Sequence, residues 1–409
     1  MQASPAFVYT AIEKPLLPIL ADMERCGVLV DRAQLGKLSQ EFAVVMAREE
    51  GGIHALAGKV FNVQSPKQLA EVLFTDMHID AGKNKKLSTN VDVLEELAEQ
   101  GHSIARRVLN YRSVAKLRST YTEALQAQIN PKTGRVHTSY NPVGAATGRL
   151  SSTDPNLQNI PVRTEDGRKI RSAFIAPAGH VLMSADYSQI ELRLLAHLSG
   201  SVALRQAFAE GRDIHAFTAA QVFDVPLDAV SKDQRRVAKI LNFGLIYGMG
   251  AGSVAAQLGI PKTEAQDYVN RFFARYDGVK EYMEANKEFA RQHGYVQTLY
   301  GRRIHLPDMK SYNGGLRAGA ERAAINAPLQ GSNADMIKLV MPKIAAALRA
   351  ANLQARMVMQ VHDELILEVP ETEIEPVTTL VRNLMETTTA LAVPVAVGIG
   401  MGPNWDAAH

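Results

Sequence analysis

The chain of 409 residues holds one cysteine, Cys26, which excludes an intramolecular disulfide framework and fits a reducing compartment. No apolar run approaches the roughly 18 residues that a membrane-spanning helix needs. The opening residues, MQASPAFVYT, lack the positive segment and long apolar core of a signal peptide. There is no internal repeat and no low-complexity tract. Net charge is also small, formally +3, so a polyanionic partner is permitted but must be argued from local clusters. What is present is ordinary for a soluble globular protein, with 46% hydrophobic and 21% charged residues. The length suffices for two or three subdomains. An intracellular soluble protein is expected.

The stretch VLMSADYSQIELRLLAHL (181–198) reads as a short apolar strand, Val181 to Met183, running into Asp186. An amphipathic helix follows, with Ile190, Leu194 and Leu198 on one face. A carboxylate where a buried strand meets a helix is costly unless something pairs with it. On this stretch alone, Asp186 is either a solvated cap of the helix or a ligand for a divalent cation.

Upstream, residues 11 to 25 form an amphipathic helical pattern. Its Asp22 and Glu24 match the carboxylate spacing of some metal-dependent exonucleases only superficially, because they sit on a helical pattern. Residues 31 to 130 are mostly helical, with a short basic loop at 82–88. Arg106, Arg107, Arg112, Lys116 and Arg118 then follow with no acidic residue before Glu123. They form either a solvated helix face or a groove that tracks phosphates. Residues 130 to 162 turn to Gly, Pro, Ser, Thr and Asn, with the donors Arg149, Asn156, Gln158 and Asn159 inside ATGRLSSTDPNLQNIP.

Ser231 with Gln234 has the form of a capping box, so a helix is expected from Lys232. Arg235, Lys239, Phe243 and Tyr247 recur every fourth residue on it, with Ile246 on the same face. Val237, Ile240, Leu241 and Gly244 lie opposite and suit packing. Two cations and two rings in this order either bind a nucleoside triphosphate or divide between solvent and core. Residues 295 to 307 read as a hairpin turning at Tyr300 and Gly301. Arg322, Asn326 and Gln330 are spaced by four, with Pro328 expected to break the helix before Gln330. Residues 357 to 369 read as a hairpin with His362, Asp363 and Glu364 at its bend. A helix from about Glu371 and a strand over Val393–Ile399 close the chain.

Together these stretches resemble the polymerase module of the A family of DNA polymerases. The resemblance rests on TGRLSSTDPNLQNIP (147–161), SADYSQIELR (184–193), RRVAKILNFGLIYGM (235–249), ERAAINAPLQG (321–331) and MQVHDELILEV (359–369), in that order, with GPNWDAAH at the end. It implies an α+β, predominantly helical fold shaped as a right hand, with an antiparallel-sheet palm, helical fingers and a helical thumb. The implied divisions are a lead-in at 1–22, thumb at 23–135, palm at 136–200 and 331–409, and fingers at 201–330. It further implies that the proofreading and 5′-nuclease domains usual in the family are absent from this chain.

The implied reaction is template-directed transfer of deoxynucleotidyl groups from dNTPs to a primer 3′-hydroxyl, releasing pyrophosphate. Two Mg²⁺ ions, replaceable by Mn²⁺, would be held by Asp186, Asp363 and the Tyr187 carbonyl, with Glu364 as an auxiliary carboxylate. Arg235 and Lys239 match the triphosphate-binding cations, Lys239 also as a proton donor to pyrophosphate. Phe243 matches the position against the sugar, where phenylalanine implies discrimination against dideoxynucleotides, and Tyr247 the position beside the nascent pair. Gln189, Ile190 and His215 match further members of the nucleotide pocket, and Glu191 the group that excludes a ribose 2′-hydroxyl. Arg149, Asn156, Gln158, Arg322, Asn326, Gln330 and His362 match primer–template contacts. The resemblance implies a monomer working in the bacterial cytoplasm on nucleoid DNA, with no membrane partner. Template-directed RNA synthesis and a catalytically silent primer–template binding module are the alternatives. Glu191 argues against the first and the presence of both aspartates against the second.

Overall fold

Four strands form an antiparallel sheet: β1 (His180–Tyr187), β2 (Arg356–Val361), β3 (Glu364–Pro370) and β4 (Val397–Gly402). Their spatial order is β4-β1-β3-β2. The structure is a computed structural model that describes residues 4–80, 87–162 and 164–409. Successive side chains of β1 point to opposite faces. Met183, Ala185 and Tyr187 join one apolar core together with Leu365, Leu367 and Val369 of β3. Leu182 joins a second core with Ile366 and Trp405. Ser184 and Asp186 share that second face, and the β1–β3 register sets Asp186 directly opposite Glu364.

Three helices carry most of the functional candidates: α1 (Ile190–Ser199), α2 (Lys232–Ile246) and α3 (Gly314–Ala350). A two-residue turn joins β1 to α1, with Gln189 at the N-cap in the left-handed region, φ 53°. Helix α2 begins where its sequence indicates. Ser231 Oγ accepts from the Gln234 amide at 3.2 Å, and Gln234 Oε1 accepts from the Ser231 amide at 2.9 Å. Short hairpins at Tyr295–Gln297 with Arg303–His305, and at β2–β3, match expectation, with Gly301 and His362 at positive φ in the turns.

Three local expectations are corrected. Pro328 does not break its helix; α3 runs unbroken from Gly314 through Gln330 to Ala350. A proline inside a helix costs about 3 kcal/mol. Against it, Ile325, Leu329, Met336, Ile337, Met341 and Ile344 are all buried along the same helix, each contributing about 1.5–3 kcal/mol. Ile246 is buried in the core instead of sharing the cationic face, with Tyr247 as the C-cap that leaves the helix path. The last strand starts at Val397, not Val393, because Val393 lies beside Pro394 in an irregular approach.

The fold is therefore predominantly helical around an antiparallel sheet, as expected. The boundary at 330/331 falls inside α3. Expectations for the basic loop lie outside the described residues, apart from Leu87 and Ser88. No described helix is long and apolar enough to cross a membrane. Because burial carries α3 past Pro328, Leu329→Ala should cost about 2–5 kcal/mol. Urea unfolding checks this; a loss below 0.5 kcal/mol (on the order of a surface substitution) would contradict it.

Candidate active site

Asp186 lies next to the end of β1, where its backbone is fixed by pairing on both sides with Glu364 and Gly398. The Tyr187 amide donates to the Asp363 carbonyl at 3.4 Å, which holds the β2–β3 bend against the same strand end. Asp186 Oδ1 is buried and has no hydrogen-bond partner. Burial, then the charges of Asp363 and Glu364, push its carboxyl up to about 7. Burial likewise raises Asp363. Two acids that destabilise one another, one with an orphaned oxygen, form a hard oxygen donor set suited to Mg²⁺ or Mn²⁺. Among the described residues no group of three or more His, Cys, Asp and Glu side chains is arranged as a metal cage. Two carboxylates and a backbone carbonyl match the few protein ligands that Mg²⁺ takes when phosphates and water complete its shell.

Glu364 is occupied differently. Its Oε1 accepts from Ser184 Oγ at 2.6 Å and Trp405 Nε1 at 3.2 Å, and lies 3.3 Å from His409 Nδ1. The C-terminal segment thereby fastens this acid beside the pair.

Glu191, on the first turn of α1, receives Arg149 Nη2 at 2.9 Å on one oxygen and the Tyr247 hydroxyl on the other. Burial raises its carboxyl, while Tyr247 and Arg149 oppose the rise. The charge of Asp363 bears on both Glu191 and Tyr247, so this cluster borders the acid pair. Along α2, Arg235 and Lys239 are exposed and Phe243 is half-buried. Arg235 Nε is held by Asp213 at 2.8 Å. The Phe243 ring lies 5.4 Å from that of His215, whose Nδ1 meets Asn242 Nδ2 at 3.0 Å. Burial lowers His215 to about 4, so it is neutral at pH 7.

The remaining candidates divide. Gln158 Nε2 donates to Gln360 Oε1 at 3.1 Å, and Gln360 in turn donates to the His362 carbonyl, which brings two candidate segments together. Arg322 packs where a Cβ on Gly248 would stand, 2.9 Å from its Cγ, and so joins α3 to the end of α2. Asn326 Oδ1 is buried without a partner. Asn156 is exposed and caps the turn at Leu157–Asn159. The side chain of Ile190 is core, which leaves only its backbone to a ligand.

The basic run is largely engaged within the protein. Arg107 pairs with Glu49, Arg112 donates to Thr89, and Arg118 pairs with Glu123. Asp22 pairs with Arg25, and Glu24 accepts from the Tyr140 amide, consistent with the structural reading of that pair. Sequence reasoning missed Asp213, Asn242 and Gln360. Asp213 carried a signal as an N-cap residue before a helical pattern, but nothing local marks the other two.

The sequence profile of DNA polymerase family A matches residues 32–407. The chain belongs to that family. Family A relatives include DNA polymerase I of Pseudomonas aeruginosa, 51% identical over 409 residues, covering 99% of this chain and 45% of the relative. The thermostable DNA polymerase I of Thermus aquaticus is 47% identical over 403 residues, covering 98% of this chain and 48% of the relative. The chain thus spans about half the length of the curated relatives it matches. Among solved structures, the POL domain of Pol1 from M. smegmatis, in complex with DNA primer-template and dNTP, superposes with a TM-score of 0.92 at 43% identity. The match covers 98% of this chain and 71% of that one.

The raised Asp186 carboxyl has a consequence for this family A chain without metal. Between about pH 4 and 7 the folded state keeps a proton that the unfolded chain, with an ordinary value of 3.8, has released. Stability therefore falls as pH rises through that window. In EDTA at pH 8, Asp186→Asn should be more stable than the parent by on the order of 2–4 kcal/mol. The gap should close as pH falls toward 5. Equal denaturant midpoints at pH 8 would contradict this.

Proposed function

We propose that this chain is a DNA-directed DNA polymerase module that extends a primer on a template with dNTPs. The observation that carries the proposal is that Asp186, with its unpartnered buried oxygen, and Asp363, whose carbonyl accepts from the Tyr187 amide, meet where the end of β1 faces the β2–β3 bend, beside the Arg149–Glu191–Tyr247 cluster. The M. smegmatis relative, solved with primer-template and dNTP, supports the choice of substrates. In the reaction the primer 3′-hydroxyl gives up its proton to solvent as its oxygen bonds to the α-phosphorus, the bond from that phosphorus to the bridging oxygen breaks, and pyrophosphate leaves.

Asp186, Asp363 and the Tyr187 carbonyl are the groups that would hold two divalent cations. When bound, such ions lower the pKa of the attacking hydroxyl and neutralise the leaving group. The chain's own part is positioning and charge. Arg235 exchanges Asp213 for the triphosphate, and Lys239 contacts the phosphates and delivers a proton to the leaving pyrophosphate. Phe243 and His215 bound the sugar and base side. The backbone of Gln189 and Ile190 lines the turn beneath the triphosphate, with Glu364 as a fixed neighbouring charge. Arg322, Asn326, Gln330, His362, Gln158 and Asn156 track the primer–template.

On this proposal the sheet with residues 136–200 and 331–409 is the palm, 201–330 the fingers and 23–135 the thumb. The protein then works in the bacterial cytoplasm on nucleoid DNA.

Glu191 sets the sugar preference, since a carboxylate held from two sides crowds a 2′-hydroxyl. Glu191→Ala should raise ribonucleotide incorporation relative to deoxynucleotide; unchanged discrimination would remove that role. Extension of a labelled primer tests the proposal as a whole. Asp186→Ala should abolish Mg²⁺-dependent extension and leave duplex binding within about threefold, because a charge outside the phosphate contacts contributes little to binding. Extension that survives in that variant would overturn the proposal. Lys239→Ala should slow single-turnover incorporation by about 10²–10³-fold if it acts as general acid, with duplex affinity kept. A defect confined to duplex affinity would exclude that role.

A further inference from the structure

Four charged side chains from three distant segments meet in the interior. Glu13 Oε1 accepts from Arg302 Nη2 at 2.5 Å and Lys338 Nζ at 2.7 Å. Asp335 Oδ1 accepts from Arg302 Nε at 2.8 Å, and its Oδ2 from Thr298 Oγ1 at 2.7 Å. Asp335 and Lys338 are almost fully buried, and Arg302 and Glu13 nearly so. Two anions and two cations balance, which is what lets such a group be buried at all. That alone would make it a structural clasp between the helical stretch Val8–Glu13, the 295–305 hairpin and α3.

Its two cations also pin both ends of one loop. Lys338 Nζ donates to the Pro142 carbonyl at 2.9 Å. At the other end Gly148, with φ +81°, rests directly on Arg302. A Cβ there would lie 2.6 Å from Arg302 Nε, 2.7 Å from Cδ and 2.9 Å from Cζ. The next residue is Arg149, which holds Glu191, which in turn holds Tyr247. Contact is therefore continuous from Glu13 to the sugar-side cluster.

We propose that Arg302 is a positioning residue for sugar selection. Its planar guanidinium, fixed by Glu13 and Asp335, is the surface on which the Thr147–Gly148 turn sits. It thereby sets how Arg149 presents Glu191. This rests on the role proposed above for Glu191. A lysine would keep the charge but lose the flat fork that bridges both acids and supports the glycine.

The test compares dNTP with rNTP incorporation by the full chain. Arg302→Lys should reduce discrimination by about 10–100-fold, the scale of a small misplacement near a reacting group, with duplex affinity unchanged. Gly148→Ala presses on the same contact from the loop side, with added backbone strain at φ +81°, and should show a loss at least as large while leaving Arg302 and its acid partners in place. In an Arg149→Ala background, Arg302→Lys should have no further effect, within about twofold. The inference is overturned if Arg302→Lys and Gly148→Ala lower the melting temperature yet leave discrimination intact. It is equally overturned if the loss persists undiminished in the Arg149→Ala background. Should Glu191→Ala itself keep full discrimination, the sugar-excluding role falls and this inference with it. If Glu191→Ala loses discrimination while Arg302→Lys keeps it, this inference alone fails.

Discussion

Everything at the centre of this molecule follows from like charges held together by a sheet. The register that pairs Asp186 with Glu364, and the bend that places Asp363 beside Tyr187, bring three acids to one strand end. Two ionised carboxylates about 4 Å apart repel by roughly 4 kcal/mol even at an effective dielectric of 20. The backbone pairing of β1 on both sides, and apolar cores on both faces, hold them against that repulsion. Glu364 is relieved by three donors, whereas Asp186 keeps a buried oxygen with none. The fold stores an unmet demand for positive charge at one point.

Around that point the structure separates rigid support from available groups. Asp335 and Lys338 are buried and held by hydrogen bonds within the protein. Lys239, by contrast, is exposed, and Arg235 is tied only to the half-exposed Asp213. An exposed ion pair contributes little to stability, so exchanging Asp213 for a phosphate costs little. Buried pairs fix the frame, and surface pairs are the ones free to trade partners.

Much of this was legible from sequence because the deciding signals are local. Ser231 and Gln234 announce the start of α2, and the four-residue spacing places Arg235, Lys239 and Phe243 on one side. Apolar segments around His362 and Asp363 give the hairpin. Failures came where distant packing overrides local preference. Pro328 should end a helix, but the buried length of α3 outweighs it. Helical spacing puts Ile246 on the Arg235 side, but core packing buries it in the last turn of α2. Glu13 and Lys338 are 325 residues apart, and neither carries a local mark of the other. A polar residue buried by tertiary contact looks, in sequence, like any residue on a solvated helix.

The central claim is that Asp186 and Asp363 jointly hold divalent cations in the substrate complex. Mn²⁺ binding, followed by electron paramagnetic resonance with primer–template and a non-hydrolysable dNTP analogue, addresses it most directly. The account predicts two bound ions per molecule in the parent, and loss of at least one with weakened binding of the other in Asp363→Asn. Two ions held with parental affinity by Asp363→Asn would contradict it.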